Sequence, residues 1–309
     1  MPPPVLHAAI LESRGYVVGE ANAASGLYVR FGDVWEHRGW TNVRCFGLAA
    51  SPRAIVLACG NGVLRSRDGG ASWRVTTDWR VTEVLDIALD PHAPDRLWAA
   101  TAYGLWCSDD AGDTWCPSPT DVGGLNARFT TVVVPDVAAP EHLIVGTEAG
   151  LFRTDAGRVP WTAVGPRAPV RSVVQSASEP ATWLLGTDGA GAWRSTDNGD
   201  TWTCVTAGDV VVYAVALDPA DPRRMAAAGY RTGLLLSADG GASWEHRPLA
   251  PSGPTVMSLA FDPVVPGRLW VGTSETGVFV VDGDAPALPA GLPDATVRRL
   301  VWTPPPATP

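Results

Sequence analysis

The sequence predicts an all-β chain folded as a seven-bladed β-propeller, on three observations: a recurring turn motif, a repeated strand opener at one period, and no sustained helical periodicity. The motif is Ser-x-Asp-x-Gly-x-Ser/Thr-Trp, present at Ser66–Trp73, Ser108–Trp115, Ser195–Trp202 and Ser237–Trp244. The opener is a glycine leading a short apolar strand, and it begins at 26, 62, 104, 150, 191, 233 and 277. The spacings of 36, 42, 46, 41, 42 and 44 residues match one four-stranded blade each. The whole chain, 1–309, reads as one such domain.

Within a period the strands follow from alternation and punctuation. The third period gives Val84–Leu89, Arg96–Thr101 and Leu105–Ser108, and the fourth strand begins at Trp115. An Asp-Pro pair at 90–91, 218–219 and 262–263 ends the first strand, because proline fixes φ and removes a donor. The segment 296–304 aligns with 255–263, so the C-terminus is expected to supply the first strand of the blade begun at the N-terminus, closing the ring and removing sheet edges. The alternative gives that role to Leu6–Leu11 and makes 296–303 an addition.

The motif itself has a mechanical reading. Asp68, Asp110, Asp197 and Asp239, with the serines, cap turn N–H groups, the glycine takes positive φ, and Trp73, Trp115, Trp202 and Trp244 pack between blades. These positions resemble the Asp-box (BNR) repeats of the sialidase and sortilin propeller superfamily, and the Asp-Pro turns are most similar to blades of xyloglucan-cleaving glycoside hydrolases and photosystem II assembly propellers. The xyloglucanase resemblance implies two propellers with a catalytic groove between them, whereas this chain supplies one. The sialidase resemblance would imply an arginine triad, a tyrosine with a glutamate partner and an aspartate acid behind an Arg-Ile/Leu-Pro signature. The early arginines stand instead as Ser13-Arg14-Gly15 and Val29-Arg30-Phe31, so no catalytic residue carries over.

Bulk properties bound the function. Hydrophobic residues at 46% and charged residues at 18% suit a globular core, and a net charge of −9 without a basic run disfavours a phosphate backbone as partner. No leader-like start and no long apolar run appear, so a cytoplasmic monomer that contacts neither membrane nor nucleic acid is expected. The five cysteines are expected to be reduced, although Cys107 and Cys116 flank a hairpin across which they could bridge. The five histidines (7, 37, 92, 142 and 246) are scattered, which leaves no metal or cofactor expected, and His92 and His142 read as solvated turn residues on the far face. The proline-rich ends, 2–4 and 304–309, are expected to fray.

A site is expected on the face shared by the second-to-third turns and the inter-blade loops. The turns present Glu20, Asn22, Asn61, Tyr103, Glu148, Asp188, Tyr230, Arg231 and Glu275; the loops present Trp40, Trp79, Arg80, Asn126 and Arg128. Glu83 and Tyr213 follow at strand entrances. Arg44, Arg128, Arg171 and Arg298 fall at or near starts of innermost strands and should converge on the channel mouth, suiting a carboxylate or phosphate, unless each pairs with a neighbour such as Glu83 or Asp86. Trp40, Trp79, Tyr103 and Tyr230 could stack on sugars or pack under loops, and Glu148, Asp188 and Glu275 could supply an acid/base pair. The function expected is binding of a small sugar or carboxylate, or of a protein partner, at this mouth. A carbohydrate-active hydrolase or lyase, and a structural domain of a larger assembly, are the alternatives.

Overall fold

The structure, a computed structural model, describes residues 3–13, 25–249 and 253–303. Seven antiparallel sheets of four strands each form it. The innermost strands of blades two to seven are Cys45–Ala50, Val84–Leu89, Thr130–Pro135, Val170–Gln175, Ala214–Leu217 and Val256–Phe261. In blade one that place is taken by the C-terminal Ala295–Thr303, followed outward by Val5–Ser13, Gly26–Phe31 and Val34–His37. Each inner strand contacts the next, and Ala295–Thr303 contacts both Val256–Phe261 and Cys45–Ala50, so the ring is closed by the C-terminal strand as expected. Leu6–Leu11 therefore belongs to the second strand.

Second strands are buried on both faces because each is sandwiched between neighbouring blades. Ile55–Cys59 is buried at every residue, and its alternate side chains divide: Ile55, Leu57 and Cys59 pack towards blade one, Val56 and Ala58 towards blade three. This is why the sequence there is an unbroken apolar run. Blades converge on the axis, and small residues fill the narrow end. A side chain on Gly146 would meet Val132 and Val170 at 2.5 and 2.7 Å; one on Gly272 would meet Val297 at 2.8 Å.

All four turn motifs have one hydrogen-bond pattern. Gly70 N–H donates to Ser66 Oγ (2.8 Å), and Ser72 donates through N–H to Asp68 Oδ1 (2.8 Å) and through its hydroxyl to Oδ2 (2.5 Å). The same bonds recur around Asp110, Asp197 and Asp239. Those donors, first the Ser/Thr hydroxyl and then its backbone N–H, lower each carboxyl to about 2. The indole N–H groups of Trp73, Trp115 and Trp244 reach the preceding blade, at Arg38 O, Thr76 Oγ1 and Val205 O, while that of Trp202 bonds Gly199 O in its own turn. A second capping device follows the inner strands, where Asp90, Asp136, Asp218 and Asp262 accept from N–H groups two residues on.

Several expectations need correction. One turn of helix, Leu125–Arg128, stands in the loop after blade three, where no helix was expected; four residues are too few to show a period. His92 is not simply solvated, since its Nε2 lies 3.0 Å from Asp136 O, and His142 pairs with Asp155 at 3.4 Å. Cys107 and Cys116 are register partners across their hairpin and both thiols are free, in line with the expectation of reduced cysteines. Glu20, Asn22 and the prolines from 304 onward lie outside the described residues.

Candidate functional site

The inner strands share a defect that builds the site. Near its start each inner strand carries one extra residue relative to its neighbour: the ladder skips from 45 to 47, 84 to 86, 130 to 132, 170 to 172, 256 to 258 and 297 to 299. In blade six Tyr213 N–H donates to Ala228 O while Ala214 already pairs with Ala228, the same two-against-one arrangement. Bulges re-aim side chains. The seven bulge residues are Phe46, Leu85, Thr131, Arg171, Tyr213, Met257 and Arg298, and all seven line a cavity of about 480 Å³ at the channel mouth.

Charge in this cavity is unevenly satisfied. The Arg171 guanidinium binds Glu148 Oε1 (2.5 Å) and Asp188 Oδ2 (2.8 Å), so residues of the second-to-third turns of blades four and five meet at this side chain. Burial acts against its charge, but the two carboxylates outweigh burial and raise its pKa. Arg299 Nη2 lies 3.7 Å from Asp86 Oδ1, and Asp86 Oδ2 accepts from Val133 N–H (3.3 Å). Asp86 is 3% exposed, and burial pushes its carboxyl upward against the pull of Arg299.

Arg298 differs. It has no hydrogen-bond or ion-pair partner among the described residues, and burial, then the charges of Arg171 and Arg299, depress its pKa. Tyr213 shares the cavity with its hydroxyl likewise unbonded; burial, then Asp188, raises its pKa, so the phenol keeps its proton as a donor. The two side chains interact electrostatically with each other.

The remaining candidates lie elsewhere. Arg44 is exposed two residues before the bulge residue Phe46, with its guanidinium 5.9 Å from the Phe46 ring centroid, and Arg128 is exposed at the end of the one-turn helix. Neither lines the cavity, so the four arginines do not converge as a group. Trp40, Trp79, Tyr103 and Tyr230 are exposed, with Arg231 5.2 Å from the Tyr230 ring centroid, and Glu275 is an exposed turn residue whose N–H donates to Thr296 Oγ1. Their rings are not packed under loops. Asp86, Arg299 and the apolar lining were not singled out as site residues. The signal was a column: the residue after the first valine, threonine or cysteine of each inner strand changes chemistry from blade to blade while the residue before it does not. Among the described residues no group of three His, Cys, Asp or Glu could hold a metal ion, and no helix is long and apolar enough to cross a membrane.

No family model matches the chain. A xyloglucanase from Hypocrea jecorina is 23% identical over 296 residues, which cover 90% of this chain and 34% of that protein, so the chain spans about a third of its length. Among solved structures, the GH74 enzyme of Niastella koreensis superposes with a TM-score of 0.72 at 18% identity, over 96% of this chain and 55% of that one. The GH74 xyloglucanase of Xanthomonas campestris gives 0.70 at 19%, over 97% and 56%. YCF48, solved bound to D1 peptide, gives 0.62 at 16%, over 90% and 92%. The chain is a seven-bladed β-propeller similar in fold to GH74 xyloglucanases and to YCF48.

Proposed function

We propose that this protein is a binding module whose ligand, a small molecule or a segment of a partner protein, enters the channel mouth on the loop face. One observation carries the reading: Arg298 and Tyr213 hold unbonded donors in a cavity of about 480 Å³, within the usual size of ligand sites. A half-buried charge without a partner costs stability, and a ligand that supplies the partner recovers it. The test is a thermal-shift screen against sugars, sugar acids, nucleotides and small carboxylates. A ligand at about 100 times its Kd adds about 2.7 kcal/mol and should raise Tm by several degrees. That shift should vanish in Arg298→Ala; stabilising ligands that all survive both Arg298→Ala and Tyr213→Phe would place binding elsewhere.

A second reading, a glycan-cleaving enzyme, is supported by the likeness to the Hypocrea jecorina xyloglucanase. Glu148 and Asp188 are both engaged by the Arg171 guanidinium in this arrangement. Asp86, with its carboxyl pushed upward, is the better acid. Release of reducing ends from xyloglucan by the wild type and its loss in Asp86→Asn would support this reading; no release would leave the binding module.

A further inference from the structure

The bulge residues around the ring bring two chemistries into one cavity. Arg298 stands in blade one, flanked by Met257 of blade seven and Phe46 of blade two, with Leu85 beyond Phe46. Tyr213 and Arg171 come from blades six and five. A guanidinium and a phenol that have no hydrogen-bond partner among the described residues thus meet apolar side chains on either side of Arg298 inside one cavity. We propose that the ligand is a carboxylate carried on an apolar body, its carboxylate held by Arg298 and Tyr213 and its body laid against Phe46, Leu85 and Met257. This rests on the channel-mouth reading above.

The charge inventory selects the head group. Of the three arginines lining the cavity, Arg171 is matched by two carboxylates and Arg299 by Asp86, which leaves Arg298 as the cation in need of an anion. A carboxylate presents two oxygens to the guanidinium fork and accepts a further bond from the Tyr213 hydroxyl. A dianionic phosphate would bring a second charge among Glu148, Asp188 and Asp86, without a second free arginine to meet it. The apolar side chains flanking Arg298 select the rest: Phe46 and Met257 are only partly buried where they face the cavity, and an apolar body covers them. The same chemistry is offered by a free organic acid and by the C-terminal residue of a polypeptide.

Isothermal titration of the full chain with phenylacetate, phenylacetamide, phenyl phosphate, acetate and a phenylalanine-terminated pentapeptide, as free acid and as amide, tests this. Phenylacetate or the free-acid peptide should bind at least about tenfold more tightly than its amide. Binding should fall about tenfold or more in Arg298→Gln, less in Arg298→Lys, which keeps the charge without the fork, and several-fold in Tyr213→Phe. Phe46→Ala should weaken phenylacetate but not acetate. Thermal melts of each variant establish that it is folded. Binding of phenylacetate alone identifies a free acid as the source, and binding of the peptide alone identifies a chain terminus; either sustains the inference. Amides that bind as well as acids, phenyl phosphate that binds more tightly than phenylacetate, an unchanged Kd in Arg298→Gln, or no acid bound at all would overturn it. A neutral sugar that loses its binding in Tyr213→Phe would overturn the carboxylate while keeping the mouth as the site; a panel without any cavity-sensitive ligand would remove both.

Discussion

Arg171 and Arg298 occupy the same bulge position in two inner strands, and their surroundings give them opposite relations to stability. Arg171 is tied to Glu148 and Asp188, so Arg171→Leu leaves two neighbouring carboxylates without their shared cation and should cost about 1–3 kcal/mol. Arg298 has no such partner among the described residues, and Arg298→Leu removes a charge that burial and two nearby guanidinium groups disfavour. It should leave stability unchanged or raise it. Urea midpoints of the two variants, with m-values to confirm comparable unfolding, check the contrast; equal losses would mean that Arg298 is structurally compensated after all. This distinction was not legible in the sequence. Spacing along the chain places arginine side chains at strand entrances, but a two-residue difference decides whether a side chain enters the channel: Arg44 stands two residues before the bulge residue Phe46 and stays outside, whereas Arg171 and Arg298 are bulge residues themselves. Asp86 follows a bulge, and its burial depends on the neighbouring strand through Val133 N–H, a long-range contact that no local pattern encodes.

Among strands, the turn motif trades against the outer strand it precedes. The four blades that carry it have outer strands of two or three residues, Arg74–Val75, Cys116–Pro117, Thr203–Cys204 and Glu245–Arg247. The three without it have Val34–His37, Arg158–Ala163 and Leu288–Gly291, of four to six residues. Side-chain caps thus do locally what a longer ladder does elsewhere, which is why the degenerate repeats still form blades and why the glycine opener, present in all seven, was the better guide to their number. The caps also carry a pH dependence. Each motif carboxyl is lowered from 3.8 to about 2, so its contribution is fully present above pH about 4 and is lost as the pH falls from there towards 2. Asp110→Ala should lose up to about 1 kcal/mol at pH 7, because the carboxylate is exposed and water screens its bonds. Its deficit against the wild type should shrink as the pH approaches 2; chemical unfolding at pH 7, 4 and 2.5 measures both, and a constant deficit would show that the ionised carboxylate is not the cap.

The ring as a whole is held at one joint made by its first and last described strands, Val5–Ser13 and Ala295–Thr303. In blades two to seven the inner and second strands are consecutive in the chain, many joined by Asp-capped turns, whereas in blade one they are Ala295–Thr303 and Val5–Ser13, far apart in sequence, with Val5 and Thr303 as register partners. His7 sits in this joint, 6% exposed, its Nδ1 3.3 Å from Thr303 Oγ1. Burial lowers its pKa from 6.5 to about 4, against a weaker opposing effect of the Val5 carbonyl. The unfolded chain therefore takes up a proton that the folded chain refuses, and stability should decline as the pH falls from about 6.5 to about 4. His7→Gln should flatten that interval in a series of urea midpoints. The C-terminal closing strand was legible in the alignment of 296–304 with 255–263, because both segments carry the apolar pattern of an inner strand. The adjacency of the two termini follows from it, and it permits a direct test of the joint. Linking Thr303 to Val5 through a turn copied from Asp90–Asp95, by backbone cyclisation, would give blade one the connection the other blades already have. Register partners lie about 5 Å apart, so a copied turn spans the gap without strain. The folded ring is then unchanged while the unfolded chain loses the freedom of its ends, a gain of up to about 5 kcal/mol on the chain-entropy view. The cyclised protein should melt several degrees above a linear control carrying the same added residues, and it should unfold more slowly if separation of Ala295–Thr303 from Val5–Ser13 is the first step of opening. A higher Tm with an unchanged unfolding rate would place that first step in another blade.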